Sequence, residues 1–331
     1  MNHHIDVIAT TISGSIRDWG KIKRIIPLFH ELGETDVRLY TADSHLEARE
    51  RARQSVKSGS RILISAGGSG TFRSILEGCY DAKVDLKDLR LGFLRKGSAD
   101  LIGKTLGMPD EIEEAVKIFV NSIRHNRAVP CDVLLASSVD VESARCKFVG
   151  YGGAELFGEI PYYTENRFTK YYKGILSQLV GDLGPFFVGA NLAILGRLPR
   201  QIKGKRRQWE ILVDGAAAAQ GCFHAIIIVN GDLGPNLPFA RSVPLGSGDF
   251  YVFAIRNMGF FKLYGQFRRA WNASIMDDPE RWGFESFCVK KKLEIRPDDD
   301  EFFPMNVDGS TLKCRRSATI EIIDQIHLLS K

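Results

Sequence analysis

The hydrophobic pattern of the chain changes character near residue 128. Before that point, short apolar runs alternate with stretches of helical spacing. This is the strand–helix rhythm of an open parallel sheet with helices on its faces. Strands are expected at His4–Ala9, Val37–Tyr40, Ile62–Ala66 and Leu89–Leu94. Helices are expected at Trp19–Leu32, at His45–Lys57, where Thr41 and Asp43 are start signals, after Gly70, at Ile102–Leu106 and at Glu111–Asn121. The last of these places Ile112, Ala115, Val116 and Phe119 on one face.

From Ala128 the runs become alternating and β-branched: Cys131–Ala136, Lys147–Tyr151, Phe186–Ile194, Trp209–Val213, His224–Val229, Phe250–Ile255 and Cys288–Ile295. They predict an antiparallel second domain. Two helices interrupt it, over Tyr162–Val180 and Phe260–Ala270, both with aromatics at helical spacing. The expected division is therefore 1–127, an α/β domain, and 128–331, mainly β, with the last strands free to return to the first domain.

The stretch with the most chemistry is Gly67-Gly68-Ser69-Gly70-Thr71, between an apolar strand and a helix. Glycines at such a turn let the backbone approach a bulky anion, and the free N–H groups opening the helix point toward it, so phosphate is the natural occupant. A tight turn that only connects strand to helix is the competing reading. Neither the dinucleotide fingerprint nor the Walker loop fits, because Arg73 stands where the first needs a third glycine and no Gly-Lys-Ser/Thr follows. A second glycine turn, Arg95-Lys96-Gly97-Ser98-Ala99-Asp100-Leu101, ends the fourth strand. Turns at the carboxyl ends of neighbouring parallel strands converge on one crevice, so the two loops are expected to share a ligand. Arg95 and Lys96 would add positive charge beside its phosphates.

Composition adds limits. The chain has 331 residues, 44% apolar and 26% charged, with net charge +5, which is ordinary globular composition. No uninterrupted apolar run approaches the roughly 18 residues of a membrane span; Gln178–Leu198 is broken by Asp182, Pro185 and four glycines. The N-terminus lacks a basic leader, so a cytoplasmic location is expected. Six scattered cysteines without paired spacing predict reduced thiols rather than a zinc site or a disulfide framework. Arg197, Arg200, Lys203, Lys205, Arg206 and Arg207 crowd into one segment, which reads either as a solvated loop or as a contact to acidic lipid. Because they form one loop rather than a stripe with interleaved aromatics, no nucleic-acid partner is expected.

Gly67–Thr71 resembles the Gly-Gly-Asp-Gly-Thr loop of the diacylglycerol, sphingosine and ceramide kinase superfamily, with Ser69 in the aspartate position. The second loop resembles that family's Pro-x-Gly-Thr-x-Asn-Asp segment, and Leu106-Gly107-Met108-Pro109 its continuation. Of the turn after the family's first strand, Ser13 and Gly14 are kept. Val229-Asn230-Gly231 resembles its Ala-Asn-Gly turn. Asp308-Gly309-Ser310 stands in place of its terminal Asp-Gly-Glu. Ser247-Gly248-Asp249-Phe250-Tyr251 has lost most of the acidic character of the segment where relatives hold a structural magnesium.

The resemblance implies a Rossmann-like three-layer α/β nucleotide-binding domain followed by an antiparallel β-sandwich. It implies an ATP- and Mg²⁺-dependent kinase acting on a lipid hydroxyl at the membrane surface. Nucleotide contacts would fall to Ser13, Gly14, Thr41, Gly67, Gly68, Ser69, Gly70, Thr71, Arg95, Lys96, Gly97 and Ser98. Asp308 would accept the hydroxyl proton, with Ser310 and Ser69 at the other acidic positions, and Asp100 would hold Mg²⁺ through the phosphates. Phe168, Tyr171, Tyr172, Ile175 and Leu179 would wall an acyl chain. Such an enzyme would be peripherally membrane-associated; a homodimer is left open. Two alternatives stand beside it: a catalytically silent relative, favoured by the two serines, and an NAD kinase, which normally keeps the loop aspartate.

Overall fold

The structure is a computed structural model and describes residues 4–11, 19–95, 101–164, 189–193, 206–235 and 237–331. It divides into two compact units, Met1–Cys131 with Asp324–Lys331, and Asp132–Ile323.

The first unit holds strands β1 (Ile5–Thr10), β2 (Val37–Ala42), β3 (Ile62–Gly67) and β4 (Arg90–Arg95). Its helices are α1 (Trp19–Ile22), α2 (Ile25–Glu31), α3 (His45–Lys57), α4 (Ser69–Asp81), α5 (Leu101–Thr105) and α6 (Ile112–Arg124). The four strands run parallel in the order β2-β1-β3-β4, and His327 and Leu328 near the C-terminus pair with Arg90 and Leu91 as a fifth. Every position of β1 and β3 is buried, as expected of parallel strands covered on both faces.

Helices α3 and α4 pack against each other so closely that a Cβ at Gly78 would lie 2.2 Å from the Arg49 carbonyl oxygen. Only glycine fits there. The stretch expected as one helix over 19–32 is two, because Pro27 cannot continue a helix arriving from Trp19 and instead sits in the first turn of α2. The helix start expected at Thr41 or Asp43 falls to Ser44. The Ser44 hydroxyl accepts from the Glu47 N–H at 3.1 Å, while the Glu47 carboxylate accepts from the Asp43 N–H at 2.8 Å.

The second unit is a sandwich of antiparallel strands. It contains β5 (Ala128–Ser138, entering from the first unit), β6 (Val141–Phe148), β7 (Tyr151–Glu155), β8 (Trp209–Val213), β9 (Ala216–Gly221), β10 (Phe223–Val229), β11 (Phe250–Arg256), β12 (Phe284–Val289), β13 (Lys292–Pro297), β14 (Phe303–Val307), β15 (Ser310–Cys314) and β16 (Ala318–Leu329, leaving for the first unit). One sheet has the order β12-β11-β10-β7-β14-β15. In the other layer β16, β13, β8 and β9 are successive neighbours, and β5 pairs with β16 and β6. Between them lies a core of Phe148, Trp209, Ile226, Phe250, Leu293, Met305 and Ile320, among others. The Trp209 indole donates to the Glu155 carboxylate at 2.6 Å, which satisfies both buried polar groups. Its helices are α7 (Leu156–Thr164), a helical stretch at 189–193, α8 (Phe260–Trp271) and α9 (Pro279–Trp282).

Three expected strands are corrected here. The run at 186–194 is helical over its described part, 189–193. Lys147–Tyr151 breaks into β6 and β7, and Cys288–Ile295 into β12 and β13. Each break is a turn clasped by a distant carboxylate. Asp214 accepts from the N–H groups of Lys290, Lys291 and Lys292 at 3.1, 2.7 and 2.9 Å. Burial acts to raise the Asp214 pKa, but the backbone donors of Lys292, Lys291 and Lys290 outweigh it and hold that carboxyl below its usual value. Polar alternation alone cannot mark such a turn.

Candidate functional site

The register of the first sheet brings the strand ends to one edge. Thr10 pairs with Ala42, Ala9 with Ala66, and Gly67 with Arg95, so β1 to β4 all release the chain along the carboxyl edge of the sheet. This is where an open parallel sheet receives its ligand.

At that edge β3 passes into α4 through a single residue, Gly68, which forms the helix N-cap in extended conformation and leaves the helix start without a side-chain cap. The two flanking glycines have different reasons to be glycine. A Cβ on Gly67 would lie 2.3 Å from the Thr71 hydroxyl oxygen. That close approach seats Thr71, fully buried, against Thr10 at the end of β1, with hydroxyl oxygens 2.7 Å apart. Gly68 is different: its φ is −89°, and among the described residues nothing lies within 4 Å of where its Cβ would be. No described side chain demands glycine there, whereas an anion brought against the backbone would. A Cβ on Gly70 would stand 3.0 Å from the His45 imidazole, at the first residue of α3. The first turn of α4 contains no acidic side chain to oppose an anion.

Of the other expected nucleotide contacts with described side chains, Ser69 opens α4 half-buried, and Thr41 is exposed at the end of β2 and pairs with Ala9. Ser13, Gly14, Lys96, Gly97, Ser98 and Asp100 lie outside the described residues, and Arg95 is described only as the backbone end of β4. Thr10 is the residue that sequence reasoning did not select as part of the site. Its link to Thr71 joins positions 61 apart, and no local pattern announces it.

The Asp308 turn is built wholly from the second unit. Val307 pairs with Ser310, so Asp308 and Gly309 form a two-residue hairpin loop, with φ of 45° and 80°. This is the geometry for which Asp-Gly is favoured. The Asp308 carboxylate accepts three successive backbone N–H groups, from Val149 at 3.0 Å, Gly150 at 3.3 Å and Tyr151 at 2.8 Å. Asn230, buried after β10, donates its amide to the carbonyls of Asp132 and Val149 at 2.7 and 2.8 Å. The Asp132 carboxylate accepts from the Gly248 N–H at 2.7 Å. Thus the Asn-Gly and Asp-Gly turns clasp one loop, 149–151. The three bonds to its carboxylate make Asp308 an anchor of that loop. Ser310 begins β15, half-buried.

The second unit also contains an apolar cavity of about 90 Å³. It is walled by Leu156, Phe157 and Ile160 of α7, by Ala190, by Ala225, Ile227 and Ile255 of the sheet, by Leu237–Phe239, and by Leu263, Phe267, Ala270 and Trp271 of α8. The aromatic wall expected from Phe168, Tyr171, Tyr172, Ile175 and Leu179 lies outside the described residues. The wall that is described includes α8, whose Leu263, Phe267 and Trp271 recur every fourth residue. Of the basic segment, Arg207 is committed to Asp299 at 2.8 Å and is not a free lipid contact; Arg197, Arg200, Lys203 and Lys205 are outside the described residues. All six cysteines are free thiols, and burial pushes those of Cys79 and Cys314 up to about 12, so neither is a nucleophile near neutrality.

Residues 4–133 match the family model of the diacylglycerol kinase catalytic domain. No curated protein matches the sequence. Among solved structures, a diacylglycerol kinase from Bacillus anthracis str. Sterne superposes with TM-score 0.65 at 16% identity, covering 99% of this chain and 97% of that one. Two further structures from the same organism, each carrying a proposed diacylglycerol kinase assignment, reach TM-score 0.69 at 17% identity; 99% of this chain is covered, with 95% and 97% of theirs. At such identities the likeness is one of fold. The chain thus carries a match to the diacylglycerol kinase catalytic domain over residues 4–133 and, along its whole length, shares the fold of these structures, an N-terminal α/β and a C-terminal β architecture.

Proposed function

We propose that the protein is a lipid kinase that transfers the γ-phosphate of ATP to the hydroxyl of a diacylglycerol or of a sphingoid- or ceramide-type lipid. The observation that carries this is the start of α4: a helix N-terminus without a side-chain cap at the carboxyl edge of a parallel sheet, entered through a glycine whose missing Cβ would meet no described residue. The family match over residues 4–133 supports the choice of nucleotide. The apolar cavity walled by α7 and α8 supports an acceptor with a hydrocarbon body.

In the proposed reaction the lipid oxygen bonds to the γ-phosphorus as the bond to the β–γ bridging oxygen breaks. ADP leaves with that oxygen, and the hydroxyl proton is released. Such transfer depends mostly on positioning and on neutralising phosphate charge. The backbone N–H groups of Ser69 and Gly70 would hold phosphate oxygens, with Gly68 allowing the approach. Arg95, Lys96, Gly97, Ser98, Ser13, Gly14 and Thr41 are assigned as further nucleotide contacts from sequence. Asp308 is assigned from sequence as the acceptor of the hydroxyl proton, and it also anchors loop 149–151. Mg²⁺ would come with the ATP: among the described residues no three His, Cys, Asp or Glu side chains gather around a cation. That fits an ion held chiefly by phosphates and water, with Asp100 as its assigned protein contact.

Incubation with γ-labelled ATP, Mg²⁺ and a total lipid extract tests the reading, and one labelled phospholipid is the expected product. A second reading, a silent relative that binds nucleotide without transferring phosphate, is favoured by serine at positions 69 and 310. Thermal stabilisation by Mg·ATP with no labelled lipid in any extract would select it.

A further inference from the structure

Large apolar side chains exposed to solvent are concentrated on the elements that wall the cavity. Among the described residues there are ten: Leu46, Val139, Tyr162, Leu192, Met258, Phe261, Tyr264, Trp271, Met276 and Phe302. Tyr162 belongs to α7 and Leu192 to the stretch 189–193, while Met258, Phe261, Tyr264, Trp271 and Met276 lie on or beside α8. These three elements pack on one another through Leu156, Tyr163, Ala193 and Leu263. Exposed apolar side chains grouped around one cavity mark a docking site rather than scatter.

Helix α8 has the clearest layout. Leu263 and Gln266 are buried, whereas Phe261 is 99% and Tyr264 67% exposed. With Arg268 these two share a face at spacings of three and four. Lys262 and Arg269 are exposed beside that face, and no acidic residue occurs from Gly259 to Asn272. The next acids, Asp277, Asp278 and Glu280, come after the helix, and Asp278 caps α9. Aromatics with cations at their flank, and no anions, suit the headgroup layer of a negatively charged membrane.

We propose that α8 lies in the surface of an anionic lipid bilayer, inserting Phe261 and Tyr264 and setting Lys262, Arg268 and Arg269 against lipid phosphates. The mouth of the cavity is thereby presented to its lipid. This deepens the lipid kinase reading and rests on it for purpose, while the binding itself is measured separately.

The test is co-sedimentation with vesicles of phosphatidylcholine, with and without roughly a third phosphatidylglycerol. The wild type is expected to partition onto the anionic vesicles, less so in high salt. The double variant F261D/Y264D is expected to lose about tenfold or more of that partition. The control L46D, on exposed α3, is expected to keep it, with unchanged melting for all three proteins. In the activity arm, the double variant loses phosphorylation of lipid in vesicles and keeps it in detergent micelles. Equal partition of wild type and double variant, or loss of self-association in the variant without loss of vesicle binding, would overturn the proposal, the latter by identifying a second copy as the occupant. Absence of phosphorylation in both formats counts against the kinase reading, and the partition result still decides this one.

Discussion

At the scale of the residue, the two conspicuous Asp and Gly positions have opposite reasons for being there. Asp308 is held by its neighbours: three N–H donors converge on its carboxylate. Asp308→Asn keeps the shape but has one acceptor oxygen where the carboxylate used two. We expect unfolding free energy to drop by about 1–3 kcal/mol, measured by denaturant titration. Full stability with lost turnover would instead leave Asp308 the role of base alone. Around Gly68, by contrast, no described residue would meet a Cβ. Its extended backbone is open to valine, so Gly68→Val is expected to cost about 1 kcal/mol as a poorer N-cap and to abolish the thermal shift given by Mg·ATP. His327 provides a pH readout. Burial, then the nearby Arg90 cation, lowers its pKa from 6.5 in the folded state. The unfolded chain therefore binds the proton first. Stability is full above pH 6.5 and falls as pH drops from there through the lowered folded value. In a His327→Gln variant that part of the loss disappears, so the wild-type-minus-variant difference in unfolding free energy changes below pH 6.5 and is flat above it.

At the scale of the element, most of the first unit was legible because its strands are continuous apolar runs and its helices carry strong periodicity. His45–Lys57 is an example: both ends match the expectation. The turn at Gly67–Thr71 was legible too, since strand, glycines and helix follow one another without a break. What escaped was everything decided by long-range clasps. The breaks at 149–150 and 290–291 depend on Asp308 and Asp214, remote in sequence, and the Thr10–Thr71 contact depends on the missing side chain of Gly67. Helix α8 was legible as a helix, yet which aromatic faces water could not be read from spacing alone. Leu263 and Phe261 are two apart, with similar hydrophobicity and opposite exposure. The fate of that face belongs to this scale, and the vesicle experiment reads it.

At the scale of the whole molecule, two units with separate cores carry separate chemistry, an anion-receptive sheet edge in one and an apolar cavity in the other. The proposed pair of substrates, a nucleotide and a long-chain alcohol, would use both. Ligands are therefore expected to act independently at first order: Mg·ATP should raise the melting temperature of the Phe261→Asp/Tyr264→Asp variant as much as that of the wild type.

The most direct test of the central claim is phosphate transfer from γ-labelled ATP to extracted lipid, run side by side for the wild type and Gly68→Val. A labelled phospholipid is expected from the wild type and none from the Gly68→Val variant, whose cooperative melting shows that it is folded. Equal labelling by both proteins would contradict that claim, since the start of α4 would then have no part in holding the phosphates.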